Sequence, residues 1–237
     1  MTLAPACPES APGPEGITRC ASWRVGDRQA AVACWGPSGR AIQCCGHGLL
    51  SCAAAWLADW GKGGLLLAGD TEIPFKGDAG LVWLAFPPAG IESCQVPAWT
   101  ASILGEGAQQ AALSGPDDGY LVLEYPPGTR LSGLRAPGAA LEKKTARALI
   151  VSCRVTIQSA LAEEQIHFRY FAPQYGMDED AATGSAMRVL ASYWQSRGLG
   201  DHLKAVQCSP EGGLLLSRME DGHCWVGGHV IAEETVH

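Results

Sequence analysis

The 237-residue sequence has no run of Lys or Arg, and its net charge is −7 with a pI near 5.3. Such a chain offers no electropositive stripe, so neither nucleic acid nor an anionic membrane is an expected partner. It has no apolar stretch long enough to span a bilayer. Residues 1–16 are rich in Pro, Ala and Glu. They lack the basic start and apolar segment of a signal peptide, which predicts a cytoplasmic protein. There is no Cys-x-x-Cys pair among the 10 cysteines, and the adjacent Cys44 and Cys45 cannot easily ligate one ion together. No metal is expected. With no export signal, the cysteines read as free thiols, most of them buried as small apolar residues.

What is present is a globular composition, 47% apolar and 17% charged, in a chain long enough to bury a core. Two segments carry helical periodicity. Leu49, Leu50, Ala53, Ala54, Leu57 and Ala58 predict a helix over 46–60, stopped by the glycines at 61, 63 and 64. Met187, Leu190, Ala191 and Trp194 predict a second over 184–197, stopped by Gly198. Both are apolar and Ala-rich, as suits helices wrapped by sheet. Strand-like segments surround each helix: 19–24, 29–35, 65–68, 71–75 and 81–86 around the first, and 120–125, 148–155, 166–171, 204–208, 214–218 and 223–231 around the second. A short helical reading falls at 108–113. The order, strands then buried helix then strands, occurs twice, which is a duplicated architecture. The boundary is expected near Pro97, giving domains 1–97 and 98–237, with the last strand able to cross back.

Each predicted helix begins in a Gly-containing turn, Cys44-Cys45-Gly46-His47-Gly48 and Glu179-Asp180-Ala181-Ala182-Thr183-Gly184-Ser185-Ala186. The first amides of a helix lack internal acceptors and lie at the positive end of its dipole, so each turn is a candidate anion site. Gly46, Gly48, Thr183, Gly184 and Ser185 are the expected substrate-binding residues. A thiol at such an end is stabilised as thiolate and is able to take a proton from carbon beside a carboxylate. Cys45 is therefore the expected base, with His47 or Asp180 handling the second proton.

The stretch His167-Phe168-Arg169-Tyr170-Phe171-Ala172-Pro173, followed by Glu179-Asp180-Ala181-Ala182-Thr183-Gly184-Ser185-Ala186, resembles the second signature of PhzF-like isomerases, named for phenazine biosynthesis. Cys45-Gly46-His47-Gly48 is similar to their first signature and to the cysteine turns of diaminopimelate epimerases and proline racemases. The resemblance implies the diaminopimelate-epimerase-like α+β fold: two pseudo-symmetric domains, each a mixed β-barrel or sheet around a central helix, with the active site in the cleft between. It implies cofactor-independent proton transfer on a small carboxylic acid, with His47 and Asp180 matching polar site residues and Cys45 matching the first epimerase thiol. The second thiol position is Ala182. The glutamate base of PhzF-like isomerases has no matching segment; Glu15 lies near its expected distance and is the remaining carboxylate candidate. Three readings follow: an isomerase or dehydratase using a single thiol base, an isomerase with a carboxylate base, and a retired enzyme that binds a small acid or an interaction partner. A homodimer is expected.

Overall fold

The computed structural model describes residues 2–3, 8, 18–36, 38–42, 45–105, 107–155 and 166–231. Two compact units emerge: Met1–Phe86 with Trp225–His237, and Pro87–Cys224. The first division thus falls at Phe86/Pro87, where Pro97 was expected, and the chain rejoins unit 1 at Trp225.

Unit 1 contains β1 (Thr2–Leu3), β2 (Arg19–Gly26), β3 (Gln29–Trp35), β4 (Ala41–Ile42), α1 (Gly46–Trp60), β5 (Gly64–Ala68), β6 (Thr71–Asp78) and β7 (Leu81–Phe86). Its strands lie in the order β1-β2-β3-β5-β6-β7, with β4 on β3. β2 and β3 form an antiparallel hairpin, α1 carries the chain across to β5, parallel to β3, and β5 and β6 form the next hairpin. A parallel pair needs such a crossover, because a tight turn only reverses the chain. Leu49, Cys52, Ala53 and Trp56 of α1 are buried at helical spacing against Val32, Leu66, Ile73, Phe75 and Leu84. Full burial of a side chain the size of Leu49 contributes about 1.5–3 kcal/mol. Gly61, at φ 65°, ends the helix in the left-handed conformation and donates its N–H to the Leu57 carbonyl.

Unit 2 contains β8 (Glu92–Cys94), α2 (Trp99–Leu104), β9 (Gln110–Ser114), β10 (Tyr120–Glu124), α3 (Ala139–Glu142), β11 (Ala148–Arg154), β12 (Ile166–Phe171), α4 (Gly184–Ser196), β13 (His202–Gln207) and β14 (Gly213–Glu220). β15 (His223–Gly228) begins there and ends in unit 1. The order is β14-β13-β12-β11-β10-β9-β8. The same motif recurs: hairpin β11–β12, crossover through α4 to the parallel β13, hairpin β13–β14. The helical reading of 108–113 is overturned. That segment enters β9, antiparallel to β10, because Ala111 and Ala112 are buried within the ladder and sheet pairing outweighs the helix propensity of a short Ala-rich run.

The duplication extends to side chains. In α1, Trp56 donates its indole N–H to Ser22 Oγ at 3.0 Å, and Arg24 lies over the ring with its guanidinium 5.8 Å from the centroid. In α4, Trp194 donates to Ser152 Oγ at 3.0 Å, and Arg154 lies over its ring at 5.4 Å. Ser22 and Ser152 are fully buried. Each Trp follows its helix N-cap, Cys45 or Thr183, by the same eleven positions. Each Ser-x-Arg lies on the first strand of the hairpin that precedes the helix. A buried indole needs an acceptor, and one serine on a neighbouring strand fixes the roll of each central helix.

An ion pair between a buried arginine and a half-buried glutamate steadies the approach to α4. Arg169 on β12 donates from Nε and Nη2 to the two carboxylate oxygens of Glu179, each at 2.7 Å. Its Nη1 donates to the carbonyls of Leu131 at 3.1 Å and Leu134 at 2.7 Å. Removing the guanidinium strands a carboxylate in a poorly solvated place. Arg169→Leu is expected to cost about 3–5 kcal/mol in urea unfolding, with part of the loss recovered in the Arg169→Leu/Glu179→Leu double variant. Equal stability of Arg169→Leu and the parent protein would contradict a structural role for this pair.

Candidate functional site

In unit 1 the start of α1 is built around a sulfur. Cys45 is the N-cap, at φ −127° and ψ 109°, and its Sγ accepts the Gly48 N–H at 3.4 Å, while its carbonyl accepts the Leu49 N–H at 2.8 Å. The thiol is only partly buried. Its pKa is lowered to about 4, first by a hydrogen bond from Cys20, then by hydrogen bonds from His47 and the Gly48 amide and by the nearby imidazole; burial opposes these. His47 is exposed on the first turn and hydrogen-bonded to Cys45. Gly46 opens the helix. Gly48 is required sterically: a Cβ there would overlap the Cys20 sulfur.

Two buried thiols lie behind Cys45. Cys20 on β2 and Cys34 on β3 are direct partners in the antiparallel ladder, and their sulfurs are 2.9 Å apart. Cys20 is pushed far up because its proton is held by Cys34 and Cys45, and Cys34 is correspondingly lowered. By contrast, burial raises Cys52 to about 12 and Cys153 and Cys224 to about 11, which suits thiols that pack as apolar residues. Among the described residues, no group of three His, Cys, Asp or Glu side chains is arranged to hold a metal ion.

In unit 2 the turn before α4 is tied by its own side chains. Asp180 accepts the Ala181 N–H at 2.9 Å and the Thr183 hydroxyl at 2.6 Å. Gln207, fully buried on β13, accepts the Thr183 N–H at 2.7 Å and donates to the Asp180 carbonyl at 2.5 Å. Ser209 donates to the Ala181 carbonyl at 2.8 Å. Thr183 is the N-cap but gives no side-chain cap bond, since its hydroxyl is spent on Asp180. That leaves the first-turn amides of Gly184 and Ser185 as the donors of this helix end, with Ser185 exposed. Ala182 packs so closely on Gly213 that a Cβ at 213 would lie 2.8 Å from the Ala182 methyl. Asp180 thus serves first as the organiser of the turn.

Cys45, Gly46, His47 and Gly48 come together at one helix start, and Asp180, Thr183, Gly184 and Ser185 at the other. Glu15 and Cys44 lie outside the described residues. Cys20, Cys34, Gln207 and Ser209 went unrecognised in the sequence. Their distance along the chain hides their role, which the β2–β3 register and the parallel β12–β13 pairing bring about.

A family model described as phenazine biosynthesis-like protein matches residues 90–220, which includes the α4 turn and not the α1 turn. A mouse phenazine biosynthesis-like domain-containing protein 1 is 40% identical over 101 residues, 41% of this chain and 35% of that protein. An uncharacterized isomerase of Pseudomonas aeruginosa is 39% identical over 93 residues, 39% of this chain and 33% of that one. The matched stretch therefore spans about a third of the length of these curated relatives. A crystal structure of a PhzF-family phenazine biosynthesis protein from Enterococcus faecalis superposes with a TM-score of 0.73 at 22% identity, covering 89% of this chain and 78% of that one. A putative PhzC/PhzF protein from Clostridium difficile gives 0.72 at 19%, covering 92% and 83%. These two structures share the fold. With more than half of its length matched by the family model, including the signature that leads into α4, the chain belongs to the phenazine biosynthesis-like PhzC/PhzF family.

Proposed function

We propose that this protein is a cofactor-independent isomerase-type enzyme that moves a proton on a small carboxylic acid, with Cys45 as the base. The observation that carries this reading is a partly exposed thiol at the N-cap of α1 whose sulfur accepts the Gly48 amide, with Cys20 and His47 beside it, neighbours that all favour the thiolate. A thiolate at that position is charged near neutral pH and reaches solvent, as a general base must. His47, hydrogen-bonded to Cys45, is the donor of the second proton in this reading. Within unit 2, the Gly184 and Ser185 amides and the Ser185 hydroxyl suit a carboxylate. One thiol serves one face of a carbon. With Ala182 where epimerases carry a second thiol, the chemistry fits proton relocation, or loss of water from a hydroxy acid, better than two-base racemisation. The Pseudomonas aeruginosa relative named as an uncharacterized isomerase supports the reaction class.

A second reading, a small-acid binding protein on the same fold, is favoured by one observation. Both carboxylate oxygens of Asp180 are engaged inside the turn.

Reactivity of Cys45 tests the base directly. A thiol of pKa 9.0 is about one part in a thousand thiolate at pH 6, whereas Cys45 is expected to be almost wholly ionised. Its alkylation rate with iodoacetamide, followed by peptide mass, should stay flat down to about pH 5 and fall as pH drops through about 4. A rate that falls tenfold per pH unit below pH 9 would contradict this. For function, the protein is incubated in deuterated water with a panel of amino, hydroxy and unsaturated acids, and loss of a carbon-bound proton is followed by NMR. Exchange is expected with at least one acid class, and Cys45→Ala should lower it by about 10²–10⁴-fold. Exchange that survives Cys45→Ala would move the base to a carboxylate, and binding without exchange would favour the second reading.

A further inference from the structure

Three thiols from three elements converge beside the start of α1, and proton transfer at Cys45 has use for only one as the base. Cys20 and Cys34 stand directly opposite on antiparallel strands. That register sets Cα atoms about 4.5–5.5 Å apart, inside the 4.4–6.8 Å range of disulfides. Their sulfurs, at 2.9 Å, need to close by only about 0.9 Å to reach a bond of about 2.05 Å. Both also lie against Gly48, the residue whose amide Cys45 accepts: a Cβ at Gly48 would overlap Cys20 Sγ and lie 3.4 Å from Cys34 Sγ. Access is graded. Cys45 is partly exposed, whereas Cys20 and Cys34 are 7% and 5% exposed. An oxidant from solvent therefore meets Cys45 first, and the other two are positioned to receive its oxidation.

We propose that Cys45, Cys20 and Cys34 form a peroxide-responsive thiol relay that ends in a Cys20–Cys34 disulfide and returns Cys45 reduced. In the first step the Cys45 sulfur attacks hydrogen peroxide, breaking the O–O bond, to give a sulfenic acid and water. The Cys20 thiol then attacks that sulfur, forming a Cys20–Cys45 disulfide and releasing a second water. Cys34 attacks Cys20 in a thiol–disulfide exchange, and Cys45 leaves as thiolate. The balance is two thiols and one peroxide to one disulfide and two waters. The ionised state of Cys45 speeds the first step and makes it the better leaving group in the last. Cys52, two helical turns further along α1 and about 10 Å from Cys45 by the helix rise, takes no part. The relay shields the outermost thiol from irreversible oxidation, whatever reaction that thiol serves.

Non-reducing peptide mapping of the reduced full chain after treatment with a modest excess of hydrogen peroxide tests the relay. Trypsin places Cys20 in Cys20–Arg24, Cys34 in Gln29–Arg40 and Cys45, together with Cys44 and Cys52, in Ala41–Lys62, so the two disulfides have different masses and fragmentation of the last peptide assigns its modified cysteine. The wild type is expected to lose about two mass units and to yield the first two peptides cross-linked, with Cys45 still alkylatable and dithiothreitol restoring the start. Cys34→Ser should stop at the Cys20–Cys45 link. Cys20→Ser should drive Cys45 to the sulfinic acid, and Cys45→Ser should slow the Cys20–Cys34 bond at least about tenfold. Wild-type protein that gains oxygens on Cys45 while Cys20 and Cys34 stay alkylatable would overturn the proposal without touching the isomerase reading. So would a Cys20–Cys34 bond that forms equally fast in Cys45→Ser.

Discussion

A helix buried in a sheet must begin somewhere, and its first amides have no carbonyl within the helix to bond. That constraint organises both units. In unit 1 it is met by a sulfur, the Cys45 side chain accepting the Gly48 amide. In unit 2 no side chain caps the first turn: Gln207 accepts the Thr183 amide and Asp180 the Ala181 amide, which tie the approach to the helix and leave the Gly184 and Ser185 amides as donors. A thiolate is a soft, reactive acceptor where an amide oxygen is inert. One helix start thus carries a chemical group on its cap, and the other carries open amides behind a rigid turn.

The rest of each unit serves to hold that helix start still. The hairpin–helix–hairpin order occurs twice, and in both copies an indole donates to a buried serine while an arginine two positions along covers the ring. Roll, depth and starting point of the helix are fixed from its far half, eleven residues from the cap. The Arg169–Glu179 pair then holds the strand that leads into the second turn.

Much of this was legible in the sequence because it rests on local pattern. The helix over 46–60 and the second beginning at 184 follow from apolar spacing and glycine stops, and the strands at 29–35, 81–86 and 166–171 from apolar runs between turn residues. The turns at Cys45 and Thr183 were visible as motifs. What stayed hidden depends on pairing across the chain. Nothing near Cys20 or Cys34 announces that they meet, because only the β2–β3 register joins them. Gln207 reads as an ordinary strand residue until β13 lies parallel to β12. Ser22 and Ser152 acquire meaning only against Trp56 and Trp194. The run 108–113 misled for a related reason: alanine favours helix when alone, and pairing with β10 decides otherwise.

The central claim is that the start of α1 holds a thiolate at neutral pH. Ultraviolet absorbance near 240 nm, where thiolates absorb and thiols do not, measures it on the native protein across pH 3 to 9. One thiolate titrating near pH 4, and missing from Cys45→Ala, is the predicted result. Thiolate absorbance that appears only above about pH 8, with the same curve in Cys45→Ala, would contradict it.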